Sequence, residues 1–154
     1  MANAEGRSKD AEAAAAAREW QEPGMASKLY DVFTVAGLRV DAIEPGRALC
    51  SFTVPPRLTD ASKRMHGGAV ASLVDLVGSA VFFAGGTPTT GVSLEITISY
   101  LNAACANEEI EIEARVLGIG GTTGCATVEV RKKGTGEVIA HGRHTKYLAV
   151  SSRL

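Results

Sequence analysis

The second half of the chain alternates regularly between apolar and polar residues. In the run EIEIEARVL the apolar members occupy every second position, at Ile110, Ile112, Ala114 and Val116. A period of two is typical of an antiparallel strand with one buried face and one solvated face. Similar alternation, interrupted by glycine-rich turns, predicts strands over residues 92–101, 109–117, 125–132 and 137–148.

A long apolar segment precedes these strands. Residues 69–84 are apolar on nearly every side and are followed by two glycines and a proline, which predicts a buried helix with a glycine cap. The segment carries a carboxylate and is shorter than the roughly 20 apolar residues of a bilayer span, so we expect no membrane span. Before it, residues 38–43 and 48–54 predict a hairpin. This order of elements indicates an α+β domain, with one antiparallel sheet wrapped around one long central helix.

The length of the chain, 154 residues, suits one domain. Residues 1–28 mix glycine, charge and a run of alanine, which predicts a flexible tail with a frayed helix near residues 10–21. We therefore expect the folded domain over residues 29–150.

Residues 151–154 form a second short tail that ends in Ser152-Arg153-Leu154. A small residue, a basic residue and leucine in this order are similar to the Ser-Lys-Leu peroxisomal address. We therefore expect a peroxisomal protein that an import receptor recognises, and a cytoplasmic one if the tripeptide is not read.

The composition argues against several functional classes. Lys plus Arg number 16 and Asp plus Glu 17, so the chain lacks the basic excess of nucleic-acid binders and we expect no such partner. The three cysteines, Cys50, Cys105 and Cys125, are far apart and stand in apolar or strand-like runs. We expect reduced packing thiols rather than disulfides. Because no CxxC or clustered Cys/His spacing occurs, we assign no metal.

Two features could carry chemistry. Asp75 is the one charge in the apolar helix, and burying an unpaired carboxylate costs several kcal/mol. It is either a surface acid on a wet stripe of the helix or a general base in a cleft. His66-Gly67-Gly68 stands where a loop meets the helix, so it predicts either an oxyanion site made of backbone N–H groups or a tight turn that needs glycine.

The segments HGGAVASLVDLVGSAVFF, GVSLEITISYL and GRHTKYL together resemble the hotdog-fold acyl-CoA thioesterases of the phenylacetate-degradation type, over residues 29–148. The resemblance implies hydrolysis of a fatty or aromatic acyl-CoA to free acid and coenzyme A. No cofactor is implied, because coenzyme A is part of the substrate. The resemblance also implies a homo-oligomer, usually a dimer of dimers, with active sites that span the dimer interface.

The family pattern also implies roles for individual residues. Asp75 activates the water, Ser93 helps to hold it, and the N–H of Gly67, next to His66, binds the thioester oxygen. Coenzyme A is expected along a set of strand-end and turn residues, with two cations as candidate phosphate contacts: Tyr100, Leu101, Asn102, Gly120, Thr122 and Tyr147, then Arg143 and Lys146.

The sequence departs from the family pattern in two ways. Asp60 stands where relatives commonly have Asn, and an ionised Asp accepts hydrogen bonds but cannot donate them. Relatives place lysines that meet the coenzyme A phosphates at three positions that are uncharged here, namely Cys105, Gly118 and Gly121.

Three alternatives stay open. A hotdog enoyl-CoA hydratase pairs an Asp with a His near the helix start, as Asp60 and His66 could do, although the five intervening residues ASKRM differ from its four-residue spacing with Asn-Pro. A 1,4-dihydroxy-2-naphthoyl-CoA thioesterase is a narrower version of the thioesterase. An acyl-CoA-binding module without turnover is the non-enzymatic alternative, because a fold alone does not establish an activity.

Overall fold

The structure is a computed structural model, and it describes residues 29–84, 87 and 91–148. The predicted helix near residues 10–21 and the C-terminal tripeptide lie outside the described residues. Residues before 38 belong to a unit of their own, in which α1 (Leu29–Val35) is a helix of 7 residues. The apolar pattern does not predict α1, because two turns are too few to display a helical period.

Residues from 38 onward form an antiparallel sheet of six strands and one long helix. The strands are β1 (Arg39–Glu44), β2 (Arg47–Thr53), β3 (Val92–Tyr100), β4 (Glu109–Ile119), β5 (Thr123–Lys132) and β6 (Val138–Tyr147), in the spatial order β1-β2-β4-β5-β6-β3. Between β2 and β3 the chain makes a 3-10 turn (Pro56–Leu58) and then α2 (Gly67–Ala84), which packs mainly on β4 and β5. The predicted α+β architecture is confirmed.

The apolar side of the alternation forms the core. Ile110 and Ile112 of β4 are fully buried, as is Leu73 of α2. Each such side chain contributes about 1.5–3 kcal/mol when it leaves water, which holds the helix on the sheet. A glycine in β6 permits a close approach, because a Cβ on Gly142 would stand 3.0 Å from Cγ1 of Val74.

The other side of the alternation is charged and partly solvated. On this face Nε of Arg131 donates to Oε2 of Glu111 over 3.0 Å, and Nη2 of Arg47 donates to Oε2 of Glu113 over 2.7 Å. These cross-strand pairs match opposite charges on neighbouring strands, which favours this register. The predicted separation into one apolar and one polar face is therefore confirmed.

The helix begins two residues earlier than the pattern predicts. Nδ1 of His66 accepts a hydrogen bond from the N–H of Gly68 over 2.9 Å, and this side-chain cap lets the first turn form at the glycine pair. By length and composition alone α2 could cross a bilayer, a test that the core helix of a folded domain also passes. In this structure one side of α2, which includes Leu73 and Val77, is buried in the core, whereas Leu76 and Phe83 are exposed.

The three cysteines occupy different environments. Cys50 is buried in β2 and Cys125 is half-buried in β5, and burial raises the pKa of the Cys50 thiol. Cys105 is exposed, so the expectation that all three are packing thiols is wrong for this residue. The reason is its position in the connection between β3 and β4, where it forms an isolated bridge with Arg64 instead of a strand.

Among the described strands, β3 lies at one edge of the sheet and pairs with β6 alone. Most of its residues are exposed, including Val92 and Leu94, at 67% and 59% of their full area. A long apolar edge strand exposes both unpaired backbone groups and apolar side chains, which proteins ordinarily cover. The exposed side chains of β3 therefore form an apolar surface that is available for contact.

Candidate active site

Three side chains from three elements meet beside the middle of α2. Oδ1 of Asp75 lies 3.6 Å from Nε2 of His144 in β6, and Oγ of Ser93 in β3 lies 2.7 Å from the same nitrogen in a hydrogen bond. The Asp75 side chain is 53% exposed, whereas His144 is fully buried. Of the two alternatives for Asp75, neither is decided by the single chain: the carboxylate is accessible to solvent, as a surface acid would be, and it contacts a buried ring, as a residue of a cleft would.

The surroundings of His144 favour the neutral form of its ring. Burial lowers the pKa of His144, and the positive charge of Lys146 lowers it further, while the Asp75 carboxylate acts in the opposite direction. The ring lies under a glycine of α2, since a Cβ on Gly78 would stand 3.0 Å from Nδ1 of His144. A larger residue at position 78 would push the ring away from Ser93.

Lys146 also lies inside the structure. Only 4% of the residue is exposed, and its Nζ donates a hydrogen bond to Oγ of Ser79 over 2.7 Å. Burial lowers the pKa of Lys146, and Asp75 opposes this effect. The expectation that Lys146 contacts a coenzyme A phosphate is wrong for the single chain, because strand alternation turns this side chain toward α2.

The other cation proposed from the sequence lies on the opposite side of the sheet. Arg143 is exposed, and its Nη2 lies 3.9 Å from Sγ of Cys125. Successive residues of a strand point to opposite faces, so Arg143 and Lys146 cannot approach one phosphate group together. Tyr147 is 43% exposed and lies on the same face of β6 as Arg143.

The first turn of α2 offers a backbone donor. The Tyr100 hydroxyl donates to the Gly67 carbonyl over 2.9 Å, and a Cβ on Gly67 would stand 3.4 Å from the tyrosine ring. The first N–H groups of a helix have no partner within it, and the helix dipole favours negative charge there. The exposed His66 accepts a hydrogen bond from the N–H of Gly68, so the N–H of Gly67 is the donor that this turn can offer to a ligand.

Asp60 organises the loop that leads to this turn. Its Oδ1 accepts hydrogen bonds from the N–H groups of Ser62, over 2.8 Å, and Arg64, over 3.0 Å. Its Oδ2 lies 3.6 Å from Nε of Arg64. The hydrogen bond from the Arg64 N–H is the main cause of the lowered pKa of Asp60. The carboxylate is therefore an ionised acceptor turned toward its own loop.

The proposed coenzyme A residues form two separate groups. Tyr100, Leu101 and Asn102 end β3 near the start of α2, and the N–H groups of Leu101 and Asn102 donate to the Ile139 carbonyl. Gly120, Thr122 and Tyr147 lie at the other end of β3, because Val92 pairs with Tyr147. The nine residues of β3 separate the two groups by about 27 Å in one chain.

The sequence analysis predicts no role in the site for His144 or Ser79. The signal is present, because residues 140, 142, 144 and 146 share the inward side of β6 and the last two are polar. Two polar residues on the buried face of a strand require partners, and these partners stand on α2 and β3.

Comparisons with known proteins identify the family of the chain. Residues 62–139 match the thioesterase superfamily, and the chain belongs to that family, which confirms the predicted hotdog thioesterase fold. Human acyl-coenzyme A thioesterase 13 is 38% identical over 104 residues, which cover 68% of this chain and 74% of the relative. Thioesterase superfamily member 2 of zebra fish is 34% identical with a TM-score of 0.74, over 86% of this chain and 93% of that one. The Mus musculus member 2 structure is 31% identical with a TM-score of 0.73, over 86% and 97%.

Proposed function

We propose that the protein is an acyl-CoA thioesterase that hydrolyses fatty or aromatic acyl-CoA to a free acid and coenzyme A. The observation that carries the proposal is the convergence of Asp75 and Ser93 on one face of His144, 3.6 Å and 2.7 Å from the same ring nitrogen. A carboxylate beside a hydroxyl is suited to hold and deprotonate one water molecule. The similarity to human acyl-coenzyme A thioesterase 13 supports the choice of substrate class.

The reaction needs two functions from the protein. Asp75 takes a proton from water while the water oxygen forms a bond to the thioester carbon, and an N–H at Gly67 stabilises the negative oxygen that results. The carbon–sulfur bond then breaks, and the proton on Asp75 returns to solvent or to the departing thiolate. In a Ser-His-Asp triad the serine and the carboxylate contact different nitrogens of the histidine ring. Here Ser93 and Asp75 both face Nε2 of His144, so we assign Ser93 to orienting water rather than to nucleophilic attack.

These two functions come from different chains in our proposal. Gly67 and Asp75 are eight residues apart on α2, about 12 Å along the helix axis. Both groups must lie within a few ångströms of one carbonyl group, so one chain is incomplete by itself. A homodimer, or a dimer of dimers, that pairs the exposed edge strand β3 would bring Gly67 of one protomer to Asp75 of its partner.

Coexpression of two inactive variants tests the shared site. Gly67→Pro removes an N–H at a helix position that accepts proline, and Asp75→Asn removes the base. Random mixed dimers then contain one intact site, so activity should return to about a quarter of the wild-type value. Coexpression of Asp75→Asn with Ser93→Ala is the matched control. Both groups lie in one chain, so no intact site can form and only about half of the residual activity of Ser93→Ala alone should remain. Equal activity in the two mixtures would contradict the shared site.

The hydratase alternative receives no support from Asp60. Its Oδ1 accepts hydrogen bonds from two backbone N–H groups of its own loop. A hydratase needs an acid or base that reaches the substrate or the attacking water, and this oxygen is already engaged.

Incubation with acyl-CoA and a thiol reagent separates the functions. Hydrolysis releases one free thiol per thioester consumed, hydration leaves the thioester intact, and a binding module changes neither. A panel of medium-chain, long-chain and aromatic acyl-CoAs, including 1,4-dihydroxy-2-naphthoyl-CoA, identifies the acyl group. The control carboxylate is Asp41 of β1, which lies at the opposite edge of the sheet from β3. Thiol release by the wild type that is absent in Asp75→Asn and retained in Asp41→Asn supports the proposal. No thiol release with any substrate would contradict it.

A further inference from the structure

We propose that Lys146 is a positioning residue of the thioesterase site: its buried ammonium, held on Ser79, balances the negative charge of Asp75 at the His144 ring and leaves the carboxylate available to water. The inference rests on the proposed function for its catalytic consequence. Its structural part concerns His144 and can be measured without substrate.

The position of Lys146 is unusual for a lysine. It is 4% exposed, and Ser79 Oγ is the acceptor that its Nζ reaches, over 2.7 Å. Among the described residues, no carboxylate lies within ion-pair distance of this nitrogen, 4.0 Å. Burial of a cation without an ion pair is costly, so a structural role alone would be better filled by an apolar side chain.

The charged groups around His144 explain what the lysine does. Asp75 on α2 is the acid near the ring, and Lys146 on β6 is the cation. The residues that pair with His144 on the neighbouring strands are Ile96 of β3 and Ala126 of β5, both apolar, and Ser93 of β3 is neutral. Alone, the carboxylate at 3.6 Å would favour an imidazolium. The lysine opposes it and lowers the pKa of His144 together with burial.

A charged His144 would damage the proposed mechanism. At 3.6 Å from Oδ1 an imidazolium would form an ion pair with Asp75 and would compete with water for the carboxylate lone pairs. The neutral ring keeps its hydrogen bond to Ser93 and leaves Asp75 to the water. Lys146 itself does not occupy the carboxylate, because Ser79 holds its Nζ one helical turn further along α2.

The test follows the His144 ring by NMR against pH in the wild type, in Lys146→Met and in Ser79→Ala. The chain has three histidines, so His66→Gln and His141→Gln assign the two other ring signals. Lys146→Met removes a buried charge with little change of volume, so the variant should fold. We expect its His144 midpoint to move to higher pH, and that of Ser79→Ala, which keeps the charge, to move less. An unchanged midpoint in Lys146→Met would overturn the proposal.

Kinetics provide the second measurement. In Lys146→Met we expect the ratio of kcat at about pH 8 to kcat at about pH 5.5 to rise roughly threefold or more, with little change in KM. A raised KM with an unchanged pH profile would instead identify Lys146 as a coenzyme A ligand and would overturn the proposal. If the wild type releases no thiol from any acyl-CoA, the proposed function fails, while the NMR result still decides the relation between Lys146 and His144.

Discussion

Oδ1 of Asp75 and Nε2 of His144 lie 3.6 Å apart, and they join an exposed carboxylate to a fully buried ring. The contact links α2, which carries the acid, to β6, which carries the histidine. Ser93 hydrogen-bonds to the same nitrogen from β3. The acid is therefore accessible to water while its neighbours are fixed by the core, and accessibility with fixed surroundings is what a general base requires.

Replacement of Ser93 tests the water-orienting role. Ser93→Ala removes one hydrogen bond to His144 and to the water but leaves the Asp75 carboxylate, so we expect kcat to fall by roughly tenfold, less than on loss of the base. Ser93→Thr, which retains the hydroxyl, is the matched control and should retain more activity. A loss as large as that of Asp75→Asn, with a trapped acyl group on the enzyme, would mean that Ser93 is a nucleophile.

Asp60→Asn should be tolerated. The amide oxygen can accept the same two hydrogen bonds from the N–H groups of Ser62 and Arg64, and only the weak contact with the Arg64 side chain, at 3.6 Å, is lost. We expect kcat within about threefold of the wild-type value and a similar urea midpoint. Abolished turnover in a folded protein would give Asp60 an acid-base role and would favour the hydratase alternative.

Gly67→Pro should remove the oxyanion donor without unfolding the helix. Proline is favoured at the first position of a helix, and its ring lacks the N–H that our mechanism requires. We expect kcat to fall by roughly 10²- to 10³-fold. Gly67→Ala keeps the N–H and places its Cβ at an ordinary 3.4 Å from the Tyr100 ring, so it is the control. Equal activity in the two variants would remove Gly67 from the mechanism.

The lowered pKa of His144 predicts an acid-sensitive stability. The unfolded chain takes up a proton near the ordinary value of 6.5, before the folded ring does. Stability is therefore complete above that value and falls as the pH drops toward the lower folded pKa, by up to about 1.4 kcal/mol per pH unit. Urea denaturation of the wild type and of His144→Gln at several pH values measures the free energy of unfolding against pH. The same pH dependence in both proteins would contradict a contribution from His144.

The alternation of residues was sufficient to predict the sheet and its two faces, because one face is buried and the other is charged. In β4, for example, the apolar positions Ile110 and Ile112 are both fully buried. The alternation could not predict how exposed the Asp75 side chain is. A helix with apolar residues on nearly all sides does not show which of its faces the sheet leaves uncovered. Nor could the alternation pair His144 with Ser93, since contacts between residues 51 positions apart depend on the order of the strands.

The measurement that tests the account most directly is kcat for thiol release by Asp75→Asn. Asparagine keeps the shape of the side chain but cannot accept the proton, so we expect kcat to fall roughly 10²- to 10⁴-fold. The oligomeric state and the affinity for acyl-CoA should persist, and Asp41→Asn should retain full activity as a distant carboxylate control. Near-native kcat in a folded Asp75→Asn oligomer would mean that Asp75 is only a solvated helix residue and would contradict the mechanism.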